Sequence, residues 1–341
     1  MKKIFKLISV FILIIAVSNV FAGGGKRTGT AGASELLIPV GPRGIAMGES
    51  NLVAATGVEA LFWNPAGVSH MQNNADVLFS HMSYIADIGV EYGAVAASFE
   101  GFGAIALSIK SLSIGDIPVT TTVNPDGTGE FFSPTMVTAG LSYSRMLTDA
   151  ISVGLTANLV SERIADVSAT GVAFDFGVIY RNLADVNGLS IGVVLKNLGT
   201  EMKYDGSGLY QFGQINGVNR PASYYKVDAA AFEMPFNFQL AAGYSPVIDE
   251  INSLQFTGIY QNNNFSGDEG KLGAEYGYNN LFFIRAGYQF AMQEADNYIY
   301  GFTAGAGINY EVEGFGVKVD YAFRDTEFFD GNHIFALTLG F

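Results

Sequence analysis

The chain closes on His333-Ile-Phe-Ala-Leu-Thr-Leu-Gly-Phe341, where Phe335, Leu337, Leu339 and Phe341 share one face of a strand. An apolar strand that runs to the final residue adds little to a sheet surrounded by water. In lipid every backbone polar group must be paired within the protein, so a spanning sheet closes on itself and its last strand meets its first. This pattern points to an all-β fold, a transmembrane antiparallel β-barrel.

The other end reads Met1-Lys-Lys-Ile-Phe-Lys, an apolar run from Leu7 to Val17, then Ser18-Asn-Val-Phe-Ala22. Three lysines, a short apolar core and small residues before the expected cleavage point describe a secretory signal peptide over residues 1–22. Its removal moves the formal charge from −14 to −17. An acidic exported chain argues against nucleic acid as a partner. With no Cys, disulfides and lipid attachment through an N-terminal Cys are excluded. The terminal strand also resembles the signal read by the bacterial barrel-insertion machinery. The expected location is the bacterial outer membrane, in contact with its lipid and lipopolysaccharide.

Charged residues are only 15% of the chain, against about 25% in soluble domains, yet no helical span follows residue 22. The apolar residues instead alternate. Val137, Ala139, Leu141 and Tyr143 oppose Thr138, Gly140, Ser142 and Ser144, and Ile151, Val153, Leu155 and Leu159 oppose Ser152, Gly154, Thr156 and Asn158. Similar segments continue through Phe174–Tyr180, Phe236–Tyr244, Phe282–Phe290 and Phe315–Phe323. Counting them from residue 75 to 341 gives about fourteen strands, the even number that single-chain bacterial barrels use. The weaker faces carry Gly, Ala, Ser, Asn and Gln, as a barrel interior does. Asp175, Arg181, Glu275, Arg285, Lys318 and Asp320 fall on these inward faces as candidate lumen charges.

Connections alternate in length. Those at 100–101, 146–149, 246–250, 278–280 and 311–313 are tight, whereas 112–133, 161–171, 199–235, 262–270, 291–297 and 324–332 are longer and polar. Short turns belong on the periplasmic side, which assigns both termini to the periplasm. The hairpin at 86–88 breaks the pattern by being short on the outer side. Tyr143, Tyr180, Tyr244, Phe290 and Tyr310 stand near strand ends, where interfacial aromatics gather.

Residues 23–74 do not alternate. The glycines of Gly23-Gly-Gly-Lys-Arg-Thr-Gly-Thr30 lack the ending of a phosphate loop and read as a flexible mature N-terminus. Glu49–Thr56 and Val58–Phe62 read as two short helices broken by Gly57 and stopped by Trp63-Asn64-Pro65-Ala66-Gly67. Such a half-apolar segment ahead of a barrel can fold into the lumen as an N-terminal plug, or hatch. In that setting Pro65 fixes a turn, Gly67 permits close packing and Asn64 bonds exposed backbone groups.

Arg43-Gly-Ile-Ala-Met-Gly48, Ala54-Ala-Thr-Gly-Val-Glu-Ala60 and Phe62-Trp-Asn-Pro-Ala-Gly67 resemble the hatch of the FadL-like outer-membrane barrels, and more closely that of their PorV/PorQ branch. Asn197-Leu-Gly199 and Met234-Pro-Phe-Asn-Phe-Gln-Leu-Ala-Ala-Gly-Tyr244 resemble the same branch. The resemblance implies about fourteen strands around a plug. It also implies one of two functions: a scaffold or shuttle of type IX secretion that binds secreted proteins or secretion-system components, or a passive channel for hydrophobic molecules such as fatty acids.

No cofactor or enzymatic activity is expected. His70, His81 and His333 are scattered, and no His–Ser pair in a recognisable context is visible. The inward charges read as ladders that hold the plug. The acidic stretches Asn124–Glu130 and Gly267–Gly270 match no calcium loop and read as solvated loops, with no metal site.

Overall fold

The computed structural model describes residues 31–341 except 215, 218, 294–297 and 313. The signal peptide and the glycine-rich stretch 23–30 lie outside the described residues. Fourteen long strands form one closed antiparallel barrel. In chain order they are β1 (Ala75–Ser83), β2 (Gly89–Phe99), β3 (Gly103–Ser113), β4 (Thr135–Met146), β5 (Ile151–Ile164), β6 (Val167–Arg181) and β7 (Leu189–Gly199). The second half comprises β8 (Asn237–Tyr244), β9 (Asn252–Asn263), β10 (Glu269–Tyr278), β11 (Phe282–Ala291), β12 (Tyr300–Val312), β13 (Phe315–Thr326) and β14 (Asn332–Gly340).

Each strand pairs with its sequence neighbours, and β14 closes the ring on β1 in a register running from Asp76 opposite Gly340 to Ser83 opposite His333. The Phe341 amide continues the ladder by donating to the Ala75 carbonyl at 2.8 Å. Among the described residues no long strand is left with an open edge, as lipid requires.

Burial is inverted relative to a water-soluble sheet. Outward positions hold Phe79, Leu107, Leu141, Leu155, Phe176 and Ile284, all exposed, and Phe335, Leu337 and Phe341 join them. Inward positions hold buried Lys110, Thr156, Asp175, Arg285 and Arg324. An apolar exterior and a polar interior suit a lipid surround.

The turns follow local chemistry. Asn279 and Asn280 both take positive φ (54° and 51°) in the tight β10–β11 turn, the backbone that a type I′ hairpin demands and that Asn tolerates. One expected long connection is absent. Instead of a loop over 161–171, β5 and β6 extend as paired strands to Ile164 and Val167, leaving a two-residue turn at Ala165-Asp166. The ladder continues there because Val160 and Ala169 are buried and Glu162 is paired through Ala169, so polar residues at these positions lie on strands.

The N-terminal segment departs from expectation over 49–56 but is helical where Val58–Phe62 was expected to be. The first α-helical turn of this region is α1 (Pro42–Ala46), started by a proline that carries no amide to satisfy. Residues 49–56 form turns, with Glu49 at φ 61°. A 3-10 turn at Gly57–Glu59 leads into α2 (Ala60–Trp63), and a second 3-10 turn spans Pro65–His70. The glycines and polar residues around Met47–Asn51 favour turns over a helix with one apolar face.

Candidate functional site

The segment from Ala33 to Asn74 packs against the inward faces of the strands. Ile45, Ala46, Val58, Ala60 and Val68 are fully or almost fully buried, in one apolar cluster with Leu78, Val90, Ala104 and Ile334 of the wall. Wall glycines create the room. A side chain at Gly287 would collide with the backbone of Met47 and Gly48, and one at Gly154 with the backbone of Pro65 and Ala66.

The Trp63–Gly67 motif sits against β4, β5 and β6. Asn64 is fully buried. Its side chain accepts from the Ala66 amide at 3.1 Å, capping the following turn, and donates to the Val178 carbonyl at 3.4 Å. Pro65 opens that turn. Gly67 lies against the Ala55 carbonyl and the Ala60 methyl, where a larger residue has no space. Trp63 rests on Gly44 and meets Phe62 edge to face with ring centres 5.1 Å apart.

Four of the six expected lumen charges join two residues of the segment in a closed ring of alternating sign. Arg43 grips Glu275 through two hydrogen bonds of 2.9 and 2.7 Å and reaches Glu59 at 3.2 Å. Glu275 also receives Arg285 at 2.5 Å, and Arg285 donates to Asp320 at 2.6 Å. Lys318 completes the circuit by pairing with Asp320 at 3.5 Å and with Glu59. Glu275 and Arg285 stand directly opposite each other on β10 and β11, so the pair is a product of register. Burial raises the Glu59 pKa, but Lys318 and Arg43 outweigh it and hold the carboxyl down at about 2. Pairing of this kind offsets the cost of burying charge.

Asp175 and Arg181 lie elsewhere. Asp175 accepts from the Asn197 amide at 2.7 Å and from the Asn158 side chain at 2.9 Å, pinning a bulge where β6 and β7 shift register. Asn197 takes φ 60° at this bulge. Arg181 is half-buried near His70, whose pKa is lowered to about 4 by burial and then by the Arg181 charge. The fold brings His70 Nε2 within 3.0 Å of Ser152 Oγ, a His–Ser pair that is not visible in the sequence. Ser152 is fully buried, and among the described residues no carboxylate orients the imidazole.

Sequence reasoning misses a second network. Glu49 bridges Lys271 and Arg324, each at 2.7 Å, and Lys271 also pairs with Glu269 at 3.2 Å. It misses a third site too, where Glu35 and Glu162 meet beside Tyr204. The inward parity of Lys271 and Arg324 was available as a signal; the partners on the irregular segment were not. Asp268, expected in a solvated loop, is buried and accepts from Tyr260 at 2.8 Å and Asn262 at 2.7 Å.

Two cavities flank the packed segment. One of about 630 Å³ lies at the end bearing the short turns, lined by Arg43, Glu59, Asn73, Asn279 and Asn309 among others. The other, about 290 Å³, lies toward the loops beside Tyr84, Ser266 and Tyr300.

A family model described as type IX secretion system protein PorV matches residues 22–263. No curated protein matches the sequence. Among solved structures, the fold is similar to the CymD monoaromatic hydrocarbon channel (TM-score 0.57, 13% identity, 89% of this chain and 98% of that one). It is also similar to the Pseudomonas putida toluene transporter TodX (0.54, 14%, 89% and 98%). A Pseudomonas aeruginosa FadL homologue aligns with TM-score 0.50 and 11% identity over 89% and 98% of the two chains. At these identities the likeness is one of fold.

Proposed function

This chain belongs to the PorV family of type IX secretion system proteins, and we propose that it serves that pathway as a scaffold or shuttle for exported proteins, its lumen closed by its N-terminal plug. The observation that carries this reading is the filling of the lumen. A conduit for hydrophobic molecules needs an apolar path. Here the two cavities are rich in charged and amide side chains, and a layer containing Ile45, Val58, Trp63 and Val68 stands between them.

In this reading the barrel lies in the outer membrane with its short turns and both termini in the periplasm. Protein partners, secreted proteins or secretion-system components, meet the connections at 114–134 and 200–236. The latter carries a hairpin of Tyr210–Gly213 with Ser223–Lys226, on which Tyr210, Phe212 and Tyr224 are exposed. Exposed aromatics of this kind anchor protein interfaces.

The test combines secretion and flux. Deleting the gene is expected to retain secretion-system substrates inside the cell, and purified protein in liposomes is expected to pass little of a hydrophobic probe. Robust flux together with unaltered secretion would overturn the proposal in favour of a channel.

A further inference from the structure

The 290 Å³ cavity toward the loops has an amide wall whose members partly bond one another, Gln239 donating to Asn237 at 2.9 Å and Gln261 to Asn263 at 2.8 Å. They also partly join the second ion network, Lys271 donating to Gln261 at 2.9 Å and Asn263 to Glu269 at 3.1 Å. Strand register assembles this wall. Lys196 on β7 stands opposite Asn237 on β8, which stands opposite Asn263 on β9; in the next inward row Gln239 faces Gln261. Gln289 adds a further amide from β11. These six polar side chains line one chamber together with the ion-paired Lys271, Arg324, Glu49 and Glu269, and Trp63 and Tyr300 present aromatic surface to it.

Two of these groups are incompletely matched. The Gln289 side-chain nitrogen is buried with no hydrogen-bond partner, although the residue is only 1% exposed. Lys196 is 6% exposed, donates to the Phe62 carbonyl at 2.7 Å and lies 3.5 Å from the centre of the Phe62 ring. No carboxylate lies within ion-pairing distance of it among the described residues, whereas Lys271 and Arg324 in the same chamber are both neutralised by Glu49. Lys196, which lines the cavity with no carboxylate in contact, is the group that a bound anion would satisfy.

From this arrangement we propose that the chamber binds a small sugar acid: a single pyranose-sized molecule whose carboxylate meets Lys196 and whose hydroxyls meet the amide rows. Each hydroxyl both donates and accepts, as an amide side chain does, so a wall of Asn and Gln matches a polyol better than it matches a hydrocarbon. The aromatic surface suits the apolar face of a sugar ring. The volume stands at the lower end of ligand pockets and sets the limit at one ring. A free monosaccharide acid is therefore favoured over the glycan of an intact lipid. The inference does not depend on the secretion role.

The chain carries its own reporter, since Trp63 lines the chamber and is its single tryptophan. The experiment titrates the full chain, in a sugar-free detergent, with D-galacturonate while Trp63 fluorescence is read. A saturable change is expected. Galactose, which lacks the carboxylate, acetate, which lacks the hydroxyls, and trigalacturonate, which exceeds the volume, are each expected to bind at least about tenfold more weakly. Lys196→Gln and Gln239→Leu are expected to weaken galacturonate by a similar factor. Heat-modifiable migration establishes that each variant is folded, and either folded variant suffices. Absence of saturation up to about 50 mM, equal binding of any control, or undiminished binding in a folded variant would overturn the proposal.

Discussion

Arg43 and Glu275, 232 residues apart in sequence, share two hydrogen bonds of 2.9 and 2.7 Å that join the N-terminal segment to β10. The pair belongs to a ring in which every cation touches two anions, so neutralising one member leaves charge unbalanced in a buried site. Arg43→Met is expected to destabilise the barrel by about 3–5 kcal/mol, and Arg43→Met with Glu275→Met by less than the sum of the single changes. Denaturant titrations of the four proteins measure the coupling. Strict additivity would show that the pair does not act as a unit.

Phe341 faces outward beside Phe315, with ring centres 5.3 Å apart, and its backbone joins the ladder to Ala75. Phe341→Asp is expected to lower the folded fraction in cells far more than a substitution at an exposed loop site such as Asn124. Heat-modifiable migration of membrane fractions reads that fraction directly.

Leu155 lies outward on β5 and is 39% exposed. Placed near the bilayer midplane, Leu155→Arg is expected to cost about 2–4 kcal/mol. Its neighbour Thr156 points inward, and from parity alone it would tolerate Arg better. The structure revises that expectation. Thr156 is 3% exposed and its hydroxyl meets that of Ser142 at 2.7 Å, so an inward Arg has no space. Unfolding in lipid vesicles is expected to show losses at both sites, with Leu155→Met close to neutral.

Glu35 makes one pH-dependent contribution to stability. It is 2% exposed and faces Glu162 on β5, Lys110 on β3 and Tyr204 of the long loop. Burial, and then the charge of Glu162, push its pKa from 4.5 up to about 7. Below pH 4.5 the carboxyl is protonated whether the chain is folded or not and contributes no difference. Between 4.5 and 7 the unfolded chain ionises more readily at this position, so the contribution of Glu35 falls as pH rises and its loss is complete above 7. Glu35→Gln is expected to stabilise the protein at pH 8 by about 2–3 kcal/mol and to leave it unchanged at pH 4. Thermal unfolding at the two pH values checks both sign and window.

The barrel was legible in the sequence because lipid enforces a period of two. An outward residue must be apolar, and an odd shift would turn a whole face, so Phe174–Tyr180 or Phe315–Phe323 declare their orientation locally. The same parity placed Asp175, Glu275, Arg285 and Asp320 inside. Strand ends were less legible: around 161–171 the polar residues read as a loop, yet they stand on paired strands, because a lumen-facing position is free to be polar.

Only the tertiary structure decided what those inward charges do. Glu275, Arg285, Lys318 and Asp320 close a ring with Arg43 and Glu59, while Asp175 secures a bulge and Arg181 stands near a histidine. The N-terminal segment has no repeating period, and its contacts span more than two hundred residues of sequence. Its turns depend on which wall glycines leave room and which wall charges await a partner. Periodicity is a local property and survives in the sequence; the pairing of buried charges depends on distances that exist only after the barrel has closed.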